Sequence, residues 1–142
     1  MRQSGFTLLE VLVAILVLSI GLLGLAGLMA SSIRNNHSAY QRTQATWLAY
    51  DAIDRMRVNR ANAIATTNNY NIAMGAATSG SAGLAGTDVT NWKTTLANAL
   101  PAGDGSIAVN SPSRAVTVII QWNDSRGTGG VNAQQLRVDT QL

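Results

Sequence analysis

The chain has 142 residues, with ten Lys or Arg against seven Asp or Glu, no cysteine and one histidine. That length holds one small domain plus an appendage, and the missing thiols exclude disulfides, thiolate zinc sites and cysteine nucleophiles. His37 alone cannot build a two-imidazole metal site, and a net charge of +3 spread over 12% charged residues marks no nucleic-acid surface.

The mean hydropathy of +0.11 conceals a strong asymmetry. Between Glu10 and Arg34 lie 23 residues without a charge, and everything after Arg34 is polar and rich in Asn, Thr, Ser and Gly. A bilayer core about 30 Å thick requires roughly 20 apolar residues in a helix. The apolar run from Phe6 to Ala30 meets that requirement. Ala30-Ser31-Ser32 imitates a signal-peptidase site, but the run before it exceeds the roughly 7–15 apolar residues of a secretory signal. A retained membrane helix over 6–33 is therefore expected.

Glu10 sits at the edge of this run, where a lone carboxylate is costly unless paired. A helix N-terminus and nearby headgroups offer it partial relief. A cationic partner offers more, and no Lys or Arg lies within helical reach on its C-terminal side. An α-amino group created at Phe6 would lie four residues away. Gly21, Gly24 and Gly27 recur every third residue, a spacing that permits close helix packing in lipid.

The segment Gly5-Phe6-Thr7-Leu8-Leu9-Glu10-Val11, followed by an unbroken apolar run, resembles the processing site of type IV prepilins and pseudopilins. The resemblance implies a leader over 1–5, cut by a membrane peptidase between Gly5 and Phe6, and N-methylation of Phe6. It implies that Glu10, with Thr7, serves assembly and register, the carboxylate meeting the terminal amine of a neighbouring subunit. Gly21, Gly24 and Gly27 then become packing positions in a filament core. Major pilins commonly carry proline where Gly27 stands, a departure that favours a minor family member. Charge alone leaves orientation open, since Arg2 precedes the span while Arg34 and Arg42 follow it; the resemblance places the N-terminus in the cytoplasm.

Beyond the span, Ala45, Leu48, Ala49, Ala52, Ile53 and Met56 keep a 3–4 spacing and predict one apolar helical stripe. Thr46, Tyr50, Asp54 and Arg57 fall on the opposite side, and Asp51 and Arg55 form a favourable i,i+4 pair. With no Gly or Pro between Arg34 and Gly75, one helix is expected from about residue 6 to 60. Arg55, Arg57 and Arg60 read as a solvated face. The stretches Ser19 to Leu28 and Asp51 to Arg60 resemble PilV-type minor pilins, also called type IV pilus modification proteins.

Residues 61–87 are small and polar and read as a loop. Thr87 or Asp88 is a candidate cap for a helix carrying Trp92, Leu96 and Leu100 inward, with Pro101 and Gly103 after its end. The period then drops to two: Ile107 and Val109, Val116 to Trp122, and Leu136 to Thr140 predict three strands. Asp104-Gly105 and Asp124 to Gly127 read as turns rather than calcium loops, 123–133 as a glycine-rich loop, and Trp47, Trp92 and Trp122 as core. The expected fold is α+β and pilin-like, a long N-terminal helix packed on a small antiparallel sheet, with residues 34–142 forming an extracytoplasmic domain. The disulfide that closes many members is impossible here, so neighbouring subunits are expected to support the C-terminal edge.

The resemblance implies a minor pilin of a type IV pilus, acting in assembly or priming at or near the tip, without enzymatic activity, cofactor or metal. Its implied partners are other minor and major pilins, the prepilin peptidase, the pilus assembly platform and the inner membrane, with a tip adhesin as a further candidate and no nucleic acid. Before assembly it would sit in the bacterial inner membrane, and afterwards in the periplasm or pilus. Three alternatives remain open: a minor pseudopilin of a type II secretion system, a membrane-anchored extracytoplasmic enzyme using His37, and a single-span anchor with an unprocessed N-terminus.

Overall fold

A computed structural model describes residues 5–67, 69–78, 83–127 and 129–142. Helix α1 runs unbroken from Leu8–Val58, and its 51 residues reach about 76 Å. A four-residue helix α2, Arg60–Ala63, follows after Asn59 leaves helical geometry at φ −103° and ψ 40°. Helix α3 spans Leu84–Ala99, and three strands complete the chain: β1 Asp104–Asn110, β2 Ala115–Trp122 and β3 Gln134–Gln141. They form one antiparallel sheet with β2 in the centre, registered by pairs such as Ile107 with Val118 and Val118 with Val138.

The molecule divides along α1. From Phe6 to Ile33 the large apolar side chains stand exposed on every side. From Gln41 onward one face turns inward, burying Ala45, Leu48, Ala49, Ala52, Ile53 and Met56, the stripe expected from the 3–4 spacing. Val116, Val118, Ile120 and Trp122 are buried on β2 within the same core, while Thr117, Ile119 and Gln121 alternate outward. Trp92, Leu96 and Leu100 join that core, and the Trp92 indole N–H donates to the Leu48 carbonyl at 2.8 Å, fastening α3 to α1.

Four expectations are corrected. Trp47 is 67% exposed rather than core, because it falls between the buried positions 45 and 48 and projects from the other side of α1. Helix α3 starts three residues before Thr87 and is capped by Gly83 at φ 90°, without a side-chain cap. Asp104-Gly105 opens β1 rather than forming a turn: the glycine lets α3 rest on the strand, since a Cβ there would lie 2.5 Å from the Trp92 ring. The 61–87 stretch is not wholly loop, because α2 and the start of α3 occupy its ends and Ile72 bridges to Ile107 of β1.

The arginine cluster proves partly structural. Arg55 bridges Asp51 at 2.9 Å and Asp88 at 3.4 Å, and Arg60 donates to the main-chain oxygen of Leu142 at 3.0 Å. Asp88 also accepts the Tyr70 hydroxyl at 2.6 Å, which in turn accepts from the Asn59 amide at 3.0 Å. This network ties α3 and the 69–78 segment to the end of α1.

Candidate functional site

Residues 1–4, Arg2 and most of the expected leader among them, lie outside the described residues. Gly5, Phe6 and Thr7 precede the helix and are exposed, Phe6 by 84%. The bond between Gly5 and Phe6 therefore lies in non-helical chain, open to a protease. Thr7 is the helix cap: its backbone is extended at φ −78° and ψ 149°, and its hydroxyl accepts from the Glu10 amide at 3.3 Å. Thr-x-x-Glu immediately before an apolar run is the sequence signature of such a cap, so this local role of Thr7 was readable from spacing alone.

Phe6 stands outside the first helical turn, so it and Glu10 are not stacked as i and i+4 residues of one helix. Glu10 occupies the first turn, where the helix dipole favours a carboxylate. The other six acidic residues are all engaged. Asp51, Asp54, Asp88, Asp104 and Asp139 form ion pairs, and Asp124 accepts from Ser38 at 2.6 Å. Among the described residues the Glu10 carboxylate alone has neither an ion pair nor a hydrogen bond. It sits on the part of the chain built to leave water, which makes an outside cation its natural complement.

Gly21, Gly24 and Gly27 are exposed, and a Cβ added at any of them would meet nothing. Successive members step by about 60° around the helix, so they trace an oblique path rather than a straight seam. Ser19, within the same stretch, returns its hydroxyl to the Ile15 carbonyl at 2.7 Å and leaves no polar group bare.

The features that suggest catalysis are dispersed. His37 is exposed, and its side chain has no ion pair or hydrogen bond among the described residues. A cleft of about 190 Å³ between the 69–78 segment and α3 is lined by Asn71, Ile72, Val89, Thr90 and small residues, with no titratable side chain. No group of three metal-ligating side chains occurs among the described residues.

The Ser38–Asp124 hydrogen bond had no sequence signal, its partners being 86 residues apart. It docks the loop after β2 onto α1 five residues past Ile33. Asp124 is buried there, and the loop closes on itself through Asp124 N–H to the Val131 carbonyl at 3.0 Å and Gly127 N–H to the Asp124 carbonyl at 2.9 Å.

Residues 1–26 match the family described as the prokaryotic N-terminal methylation motif, a type IV pilin-like signal. The match covers Gly5, Phe6, Glu10 and most of the apolar stretch, and points to a type IV pilin or pseudopilin. No curated protein and no solved structure matches the chain. Helix α1 is the one described helix long and apolar enough to cross a membrane.

Proposed function

We propose that this chain is a minor pilin of a type IV pilus, of the PilV type, cut between Gly5 and Phe6 and N-methylated on Phe6. It is held in the inner membrane by residues 6–33 with its N-terminus in the cytoplasm. It then joins other pilins, at or near the tip, to prime or modify the filament. The observation that carries this reading is Glu10: a carboxylate without an internal partner, one turn into an apolar helix that begins just after an exposed Gly-Phe bond. Docking beside a neighbour's cationic terminal amine satisfies that carboxylate, and methylation keeps the amine positive. An isolated subunit lacks this pairing, so the charge rewards correct register.

The test is the intact mass and N-terminal sequence of the protein from membranes of cells with and without prepilin peptidase. Loss of Met1 to Gly5 plus one methyl group on Phe6 is expected only with the peptidase, and an unprocessed chain overturns the reading. Glu10→Ala is expected to leave processing intact while removing the protein from sheared pili. A processed chain absent from pili, whose deletion abolishes protein secretion and spares pili, would belong to a type II secretion system instead.

A further inference from the structure

The end of the domain nearest the apolar half of α1 is basic and unpaired. Arg34 follows the last residue of the uncharged stretch, and Arg126 lies in the loop that Asp124 fastens to Ser38. Neither side chain forms an ion pair or hydrogen bond among the described residues. Asp124, two residues before Arg126, is buried and accepts from Ser38 rather than from an arginine. The same loop exposes Val131, whose carbonyl holds Asp124 N–H, leaving half of an apolar side chain in solvent. A cation and a bare aliphatic side chain on one glycine-rich loop suit a surface that is anionic outside and apolar beneath.

Distance along α1 selects that surface. The uncharged stretch from Val11 to Ile33 is about 35 Å long as a helix, enough to fill the bilayer core at a tilt of about 30°. Ser38 then stands about 6–7 Å beyond the core boundary, and the polar headgroup layer on each side is roughly 5–8 Å deep. The Ser38–Asp124 bond therefore anchors the loop that carries Arg126 and Val131 at headgroup level.

We infer that Arg126 and Val131 form a membrane-contact loop that seats the domain on anionic phospholipid headgroups while the subunit waits in the bilayer. This rests on residues 6–33 spanning the membrane and not on which machine the subunit serves. Leaving the bilayer for a filament then requires breaking this contact as well as withdrawing the helix.

The chain's lack of cysteine permits a single label at Ser125→Cys. The full-length protein carrying a fluorophore there is placed in nanodiscs of zwitterionic lipid, or of the same lipid with about one-third phosphatidylglycerol. Both contain a fixed fraction of headgroup-attached quencher. Quenching is expected to be several-fold stronger in the anionic discs, to fall to the zwitterionic level in 1 M salt, and to drop about fivefold with Arg126→Gln. Val131→Ser is expected to weaken quenching in both lipids. Equal quenching in both discs, or a difference indifferent to salt and to Arg126→Gln, overturns the inference and leaves the loop to a protein neighbour. Failure of the full chain to enter the discs overturns the spanning segment as well.

Discussion

Tyr70 joins Asn59 at the end of α1 to Asp88 on α3, and its chemistry sets a pH limit. It is 1% exposed, and burial first, then its bond to Asp88, pushes the phenol up to about 12, against the opposing pull of the Asn59 donor. The unfolded phenol ionises near 10. Between those values the native state keeps a proton that the unfolded chain releases, so stability is intact below pH 10 and drains as the pH climbs toward 12. Tyr70→Phe is expected to cost about 1 kcal/mol at neutral pH and to flatten the alkaline decline; urea unfolding at pH 8 and pH 11 measures both. Asp104 sets the acid side. Burial alone would raise its carboxyl, but the Lys93 ammonium and the amides of Gly75 and Gly105 outweigh burial and hold it below the usual range. That stability is lost as the pH falls through the depressed value. None of this was legible in sequence, because Tyr70 lies in a stretch with no periodicity and its partners, Asn59 and Asp88, come from the cap of α1 and from α3.

At the scale of elements, what sequence revealed was whatever repeats. The stripe from Ala45 to Met56 and the alternation from Val116 to Trp122 follow from helix and strand periods, and both are buried as expected. What failed was read from residue type instead. Residue type suggests a core place for Trp47, but its position is out of phase with the stripe; composition suggests a turn at Asp104-Gly105, but the pair begins a strand. The glycine there serves packing: a Cβ at Gly105 would lie 2.5 Å from the Trp92 ring and 2.8 Å from Leu96 Cδ1. Gly105→Ala is expected to push α3 off the sheet and destabilise the domain by about 1–3 kcal/mol, read as a lower urea midpoint. The start of α3 was illegible for a different reason: Gly83 caps it by backbone conformation and supplies no side-chain signal.

For the whole molecule, the apolar half of α1 and the domain are energetically separate. Among the described residues no buried residue precedes Gln41, so residues 6–33 add nothing to the domain's own packing. A fragment of residues 34–142 is expected to fold alone and unfold in urea as one cooperative step. Far-UV dichroism and fluorescence of the buried Trp92 and Trp122 should give coincident transitions. Separated transitions would mean that the apolar half supports the fold. The methylation motif was legible because it is local, seven consecutive residues at the head of one helix, within the stretch the family match covers. The docked loop was not, because only folding brings Asp124 to Ser38.

The two edges of the sheet are unlike. Asn71 and Ile72 cover the outer edge of β1, taking the Val109 amide at 2.7 Å and both main-chain groups of Ile107 at 3.0 Å. The eight residues of β3 have no strand beyond them among the described residues. In the language of valence, the released domain is monovalent for strand pairing: two copies can join at β3, but neither then offers an edge to a third. Open-ended sheet growth into fibres is blocked by a two-residue patch on the opposite side of the sheet.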